Sequence, residues 1–173
     1  MLPLRLNAHL KRDNKDDQLR VANIGDCGVM IIRNGEIYFR SEEQQHSFNF
    51  PYQLGTGSKD SPKDAQSFSL LVHEGDIVIA ASDGLWDNIF DEEVLEITRS
   101  KFKSQNTADL DIQNLTDSLV KRAREIAEDS KFSSSPFQSR AVQEGLYYSG
   151  GKLDDVTVVV GIVGSEEDSP DRR

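Results

Sequence analysis

The chain contains little cysteine and histidine and has no long apolar run, and each absence excludes a class of protein. Cys27 is the single cysteine, so a disulfide scaffold is excluded and a reducing compartment is favoured. The three histidines are scattered without the spacing of zinc ligands, and no glycine-rich phosphate loop is present. No stretch approaches the roughly 18 apolar residues of a membrane span.

The charge balance is strongly acidic. The 173 residues carry a formal net charge of −10, which argues against nonspecific binding to nucleic acid. Hydrophobic residues make up 36% of the chain, which is enough to build the core of one domain. We therefore expect a monomer with one folded domain, no nucleic-acid partner and no membrane span.

The two ends of the chain differ in composition from the region between them. The first twelve residues carry Arg5, His9, Lys11 and Arg12 and no acidic residue. A targeting peptide can have this composition, but the segment lacks serine and runs into a polar turn, so a solvated end is the favoured interpretation. The sequence thus predicts a variable segment over 1–18, a domain over 19–164 and a disordered acidic tail over 165–173.

The first predicted hairpin follows a short strand. Residues 19–24 and 28–33 have the apolar, β-branched character of strands, and the Asn-Gly pair at 34–35 is a strong signal for a two-residue turn. Residues 36–40 alternate apolar and polar side chains and are predicted to return as the next strand. From there through Pro51 we expect a loop.

A second hairpin is predicted farther along the chain. Residues 55–66 have the composition of a loop, and 68–72 and 77–81 are the two arms that follow it. The arm at 77–81 is apolar throughout, which suits a strand covered on both faces. The last element, 156–163, consists almost entirely of Val, Ile and Thr and is predicted to be another buried strand.

Three helices are predicted between the last two strands. One begins near Asp91, where acidic residues in the first turn favour the helix dipole. A longer one spans 108–129 with apolar residues at helical spacing. A shorter one opens at Ser135, followed by proline, and ends at Gly145. Strands, then helices, then one strand describe an α+β layered domain and not a βαβ nucleotide-binding fold.

Three short acidic turns carry the chemistry. Asp26 lies in the turn 24–28, Asp83 and Asp87 lie in 81–88, and Asp154 lies in 150–157. Each turn is adjacent in sequence to an apolar stretch that is predicted to be a buried strand. Carboxylates at strand ends can converge in space, and clusters of oxygen ligands suit hard cations such as Mg²⁺ or Mn²⁺. The pattern therefore predicts metal-assisted hydrolysis.

Each acidic turn also has a purely structural interpretation. Asp83 and Asp87 could cap a strand-to-helix turn, and Asp26 taken alone fits a tight turn better than a ligand. Asp154 and its neighbour Asp155 could form an exposed turn, although adjacent like charges are costly unless a cation or solvent stabilises them. Cys27 has no visible base partner, which argues against a nucleophilic role.

Taken together, three segments resemble the C-terminal part of the type-2C metal-dependent protein serine/threonine phosphatases. They are 21–28 (Val-Ala-Asn-Ile-Gly-Asp-Cys-Gly), the stretch from Gly75 to Asn88 with its Ser-Asp-Gly-Leu-Trp-Asp-Asn end, and 151–158 (Gly-Lys-Leu-Asp-Asp-Val-Thr-Val). The family usually has serine where this chain has Cys27. Residues 41–54 are similar to the branch of mitochondrial matrix phosphatases.

The resemblance implies a fold, a reaction and a set of ligands. The family fold is a layered β-sandwich flanked by helices on both outer faces, and its members use Mg²⁺ or Mn²⁺ to activate a water that attacks phosphoprotein substrates. By motif, Asp83 and Asp154 match ligands of a catalytic metal, whereas Asp26 and Asp87 join Asp83 in a weaker third-metal site. Asp155 matches a position that is not a direct ligand. The branch implies a mitochondrial matrix location.

One family segment is missing from this chain. The family places its metal-bridging aspartate in an N-terminal Asp-Gly-x-Gly-Gly segment, and the only Asp-Gly here is Asp83-Gly84. We therefore expect a phosphatase domain that is incomplete at its N-terminus, with unpaired strand edges. The alternative is a truncated, catalytically inactive phosphatase that serves as an interaction module.

Overall fold

Antiparallel strands and short helices follow one another in a computed structural model that describes residues 9–13, 16–101, 111–131 and 134–164. The strands are β1 (His9–Asp13), β2 (Asp16–Asn23), β3 (Gly28–Arg33), β4 (Glu36–Arg40), β5 (Gln45–Ser47), β6 (Phe50–Pro51), β7 (Gln66–Leu71), β8 (Ile77–Ala81) and β9 (Val158–Ile162). The helices are α1 (Asp83–Trp86), α2 (Asp91–Ser100), α3 (Ile112–Glu128) and α4 (Pro136–Gln143).

The strands form two main sheets. One has the order β1-β2-β7 and the other the order β4-β3-β8-β9, with antiparallel neighbours throughout. The predicted turn between β3 and β4 is confirmed, because Asn34 and Gly35 both have positive φ, at 51° and 74°. The expected α+β layered class is thereby confirmed.

A sandwich cluster of apolar side chains fills the space between the two sheets. Strands β2, β3 and β8 contribute alternate residues to it, as expected for strands with one face toward this layer. Phe39 of β4 meets Phe68 of β7 edge to face with 5.2 Å between ring centroids, which joins the two sheets directly. The buried members of the sandwich cluster are Leu19, Val21, Val29, Ile31, Val72 and Ala80.

A helix-side cluster covers the other face of the four-stranded sheet. Ile77 and Ile79 point into it from β8, whereas Ala80 of the same strand belongs to the sandwich cluster. The prediction that 77–81 is covered on both faces is therefore confirmed. The buried members of the helix-side cluster are Met30, Ile32, Ile77, Ile79, Ala81, Leu85, Trp86, Ile89, Val94, Leu115, Leu119, Ala123 and Ile126.

The second predicted hairpin, from 68–72 and 77–81, is wrong. Strand β7 pairs with β2 in one sheet, whereas β8 pairs with β3 and β9 in the other. The turn between them crosses from sheet to sheet, and the buried carboxylate of Asp76 fixes it. That carboxylate accepts hydrogen bonds from the His73 amide (2.8 Å) and from the Arg33 Nε and Nη2 atoms (2.9 and 2.7 Å).

Two smaller expectations also need correction. The stretch through Pro51, predicted as a loop, contains the short hairpin β5–β6. The final strand is an edge strand and not fully buried, since the Val159 side chain is 54% exposed. Among the described strands, only β8 pairs with β9, along one of its two edges.

Helices cover one outer face in the described part of the chain. On the three-stranded sheet, Arg20, Ala22, Ser69 and Leu71 of the outer face are exposed, so the second helical layer that the resemblance implied is not seen there. The helices at Asp91 and Ser135 begin as predicted. The third is described from Ile112, and residues 108–110 of its predicted span lie outside the described residues.

Several terminal predictions fall partly or wholly outside the described residues. The acidic tail at 165–173 is among them, as are most of 1–18, although β1 and the start of β2 lie within that predicted variable segment. None of the helices in the described ranges has the length and apolar character that a bilayer crossing requires.

Replacing Asp76 by alanine tests the sheet-to-sheet turn. Asp76→Ala is expected to lower the free energy of unfolding by about 2–4 kcal/mol, because the Arg33 guanidinium and the His73 amide lose their acceptor. Urea unfolding followed by circular dichroism measures the change. Glu74→Ala, an exposed residue of the same turn, is the control and should stay within about 0.5 kcal/mol of the parent. Equal stability of the two variants would contradict the anchoring role.

Candidate functional site

The second and third acidic turns interlock at the ends of β8 and β9. Ser82, the first residue after β8, donates its amide to the Thr157 carbonyl at 3.0 Å. Its hydroxyl accepts from the Thr157 amide at 3.0 Å and donates to the Asp155 carbonyl at 3.0 Å. The antiparallel pairing of β8 and β9 therefore continues into the turns, and their carboxylates lie side by side.

A buried amide side chain locks the two turns together. The Nδ2 atom of Asn88 donates to the carbonyls of Gly84 and Lys152, each at 2.9 Å. Its Oδ1 atom accepts from the Lys152 amide at 2.9 Å. Asn88 is fully buried, so these bonds exchange little with water and fix the position of Lys152 along the turn. The sequence motif contains Asn88, but its role as a bridge appears only in three dimensions.

The close approach of the two turns requires glycine at position 84. A Cβ atom there would lie 2.5 Å from the Asp155 carbonyl oxygen, which is closer than nonbonded atoms tolerate. Gly84 is the second residue of the short helix α1, directly after Asp83. The absence of a side chain at position 84 thus brings the two acidic turns into direct backbone contact.

Three of the four predicted ligands converge on one ammonium group. The Nζ atom of Lys152 lies 3.0 Å from Asp83 Oδ2, 2.6 Å from Asp87 Oδ2 and 3.4 Å from Asp154 Oδ2. Burial lowers the pKa of Lys152, but the Asp87 carboxylate and the hydrogen bonds to Asp87 and Asp83 outweigh it, so its pKa is raised overall. The lysine therefore carries its charge at any physiological pH.

The fourth predicted residue, Asp26, belongs to the same electrostatic neighbourhood. Burial is the main reason its pKa is raised, and the negative charge of Asp83 raises it further. The Lys152 cation acts in the opposite direction. The first acidic turn is thus close enough to the other two for its carboxylate to respond to both Asp83 and Lys152.

Asp87 has a second cationic partner that the sequence did not reveal. Its Oδ1 atom accepts a hydrogen bond from the Arg140 Nη2 atom of α4. Arg140 also donates from Nη1 to Glu43 Oε1 at 2.8 Å. Burial raises the pKa of Asp87, whereas Lys152 and Arg140 lower it. Glu43 lies in the segment 41–54 that carries the branch resemblance, but its pairing with Arg140 appears only in three dimensions. The partners of Arg140 lie 97 and 53 positions away in the sequence.

Cys27 is half-buried beside the site, and its thiol holds its proton. The pKa of its thiol is raised to about 11. Burial is the main cause, and the negative charges of Asp26 and Asp83 raise the pKa further. The thiol is therefore protonated at neutral pH. This agrees with the expectation that Cys27 is not a nucleophile.

The donor set fits a hard divalent cation, and the geometry places an ammonium where such a cation would bind. Carboxylate oxygens are the ligands that Mg²⁺ and Mn²⁺ prefer. Within the described ranges, however, no three His, Cys, Asp or Glu side chains are arranged to hold a metal ion. The carboxylates of Asp83, Asp87 and Asp154 are instead spaced around Lys152 Nζ.

A methyl group at position 84 tests the contact between the turns. Gly84→Ala is expected to lower the midpoint of thermal unfolding by several degrees, since the added Cβ pushes against the Asp155 backbone and not against a flexible side chain. Gly161→Ala in β9 is the matched control, because a Cβ there meets no atom within 4 Å. Thermal melts of both variants measure the difference, and equal midpoints would show that the turns can separate at no cost.

Two curated proteins from a plant and an animal are similar to this chain over most of its length. The chain is 41% identical over 152 residues to "Probable protein phosphatase 2C 80" of Arabidopsis thaliana, covering 87% of this chain and 36% of the relative. It is 40% identical over 164 residues to "Protein phosphatase PTC7 homolog" of Homo sapiens, covering 90% of this chain and 53% of the relative. No family model matches the chain.

Solved structures show the same fold. The X-ray structure of the photosystem II phosphatase PBCP superposes with a TM-score of 0.76 at 31% identity and covers 90% of this chain and 62% of that one. The catalytic domain of the serine/threonine phosphatase PstP, a complex with two manganese ions, superposes with a TM-score of 0.54 at 19% identity, covering 86% and 54%. The latter likeness concerns the fold alone.

Proposed function

Since the chain belongs to the type-2C protein phosphatase family, we propose that it hydrolyses phosphoserine and phosphothreonine in proteins with the help of Mg²⁺ or Mn²⁺. The chain spans about a third to a half of the length of the two curated relatives described above. The observation that carries the proposal is the convergence of Asp83, Asp87 and Asp154 on a single point at the ends of β8 and β9.

The residues have distinct roles in this proposal. Asp83 and Asp154 hold the catalytic cation, and Asp26 and Asp87 contribute with Asp83 to a second, weaker site. A bound divalent cation supplies a water of lowered pKa and neutralises charge on the phosphoryl oxygens. No separate catalytic side chain is needed, which agrees with the protonated thiol of Cys27.

The surrounding residues keep the ligands in place. Asn88 and the bare backbone of Gly84 hold the turn of Asp83 against the turn of Asp154. Arg140 fixes the Oδ1 atom of Asp87 and leaves its Oδ2 atom directed at Lys152 Nζ, at the centre of the site. A carboxylate held at both oxygens loses little conformational entropy when it takes up a cation.

Replacing one proposed ligand tests the function. The parent chain is expected to hydrolyse p-nitrophenyl phosphate in the presence of Mn²⁺, and Asp83→Asn should reduce both the rate and the Mn²⁺ affinity by about 100-fold or more, because a neutral amide replaces the charged oxygen ligand. Asp117→Asn on the exposed side of α3 is the matched control and should retain activity. Hydrolysis by Asp83→Asn at the rate of the control would contradict the assignment.

The same assay separates the enzyme from its alternative. If the parent chain is folded by circular dichroism, binds Mn²⁺ and still shows no hydrolysis, the proposed activity is wrong for this chain. A binding role for a truncated, inactive phosphatase would then be the better interpretation. A phosphoserine peptide used in parallel distinguishes hydrolysis of protein-like substrates from hydrolysis of the small ester alone.

We further propose that the chain acts as a monomer in the mitochondrial matrix, as the branch resemblance of residues 41–54 implies. A carboxyl-terminal fluorescent fusion followed by cell fractionation is expected to place the protein with matrix markers. Recovery in another compartment would contradict the location. Light scattering coupled to gel filtration should give the mass of one chain, 19.4 kDa.

A further inference from the structure

Lys152 is held more firmly than a surface lysine. Its backbone amide and carbonyl both bond to the side chain of Asn88, which is fully buried. Its side chain is 18% exposed and its Nζ atom lies 5.3 Å from the centroid of the Phe137 ring. The start and the end of the side chain are therefore both fixed, and the position of the ammonium is set by the fold.

The ammonium lies among three carboxylates. The carboxylates of Asp83, Asp87 and Asp154 all point at it, and Asp87 is only 6% exposed. Three carboxylates that share one point repel each other strongly unless a cation lies between them. Lys152 supplies that cation from within the chain.

A divalent cation and this ammonium compete for the same oxygens. The Oδ2 atoms of Asp83 and Asp154 lie 3.0 and 3.4 Å from Lys152 Nζ, so a cation bound by these two oxygens would lie next to the ammonium. Two positive charges at such a distance repel, so metal binding requires the ammonium to withdraw. Its unbranched, flexible stem allows this without any backbone movement.

We propose that Lys152 is a built-in counter-cation, which holds the carboxylates of Asp83, Asp87 and Asp154 together before metal binds and competes with the metal for them. The inference rests on the metal-binding part of the proposed function and goes beyond it. Lys152 sets the metal concentration at which the site fills. It acts through the ligands and is a positioning residue.

Removing the charge tests the competition directly. Lys152→Met is expected to bind Mn²⁺ about tenfold more tightly than the parent by isothermal titration calorimetry, and to melt at a lower temperature in the absence of metal because the carboxylates lose their counter-ion. Lys152→Arg keeps the charge, so its Mn²⁺ affinity and its melting temperature should stay close to those of the parent. Lys121→Met on the exposed face of α3 changes the net charge equally and should change neither.

The outcomes of the titration separate this inference from the proposed function. If Lys152→Met binds Mn²⁺ no more tightly than Lys121→Met, Lys152 is not a competitor and the inference is wrong, whether or not the chain hydrolyses phosphate esters. Tighter Mn²⁺ binding by Lys152→Met, together with no hydrolysis by the folded parent chain, would support the inference and overturn the proposed activity.

A second measurement uses the parent chain and does not depend on how Lys152→Met folds. Acetylation of lysines by an amine-reactive ester, read out by peptide mass spectrometry, reports how accessible each ammonium is. Lys152 should be protected in EDTA and become several-fold more reactive at saturating Mn²⁺, whereas Lys121 should react equally under both conditions. Unchanged or lower reactivity of Lys152 with Mn²⁺ would overturn the inference.

Discussion

Strand β8 joins the two layers of the core and determines where the acidic turn of Asp83 begins. It is hydrogen-bonded to β3 on one side and to β9 on the other, and its alternate side chains enter the sandwich cluster and the helix-side cluster. A strand fixed in all four directions cannot shift without breaking two layers of packing. The residues that follow it therefore leave the sheet at a fixed point, and Asp83 is the second of them.

From that fixed point, charge and hydrogen bonding determine the site. Gly84 and Asn88 bring the final turn within backbone contact, and this places Asp154 beside the carboxylates of Asp83 and Asp87. The resulting concentration of negative charge is tolerated because Lys152 lies within it. The three carboxylates therefore need a positive charge among them, and Lys152 of the same chain provides it.

The positions of the strands and helices were easier to predict from the sequence than the strands and side chains with which each one pairs. The uninterrupted apolar character of 77–81 and the acidic residue just beyond it were enough to predict a doubly covered strand with a carboxylate at its end. The partner of 68–72 was not predictable, because apolar alternation and a turn signal look the same in a hairpin and in a crossing between sheets. The ion pairs of Arg140 were not predictable for a similar reason, since Asp87 and Glu43 lie 53 and 97 positions from it.

The interlocked turns also constrain the order of events during folding. Ser82 and Asp155 are 73 positions apart, and Ala81 pairs with Val158 only once β9 has docked on β8. Closing so long a loop is entropically costly, and contacts of this kind form late. The site is therefore absent from any folding intermediate that has not paired β9. Asp83 and Asp87 are therefore synthesised long before Asp154 and Lys152, and they meet these residues only when β9 pairs with β8.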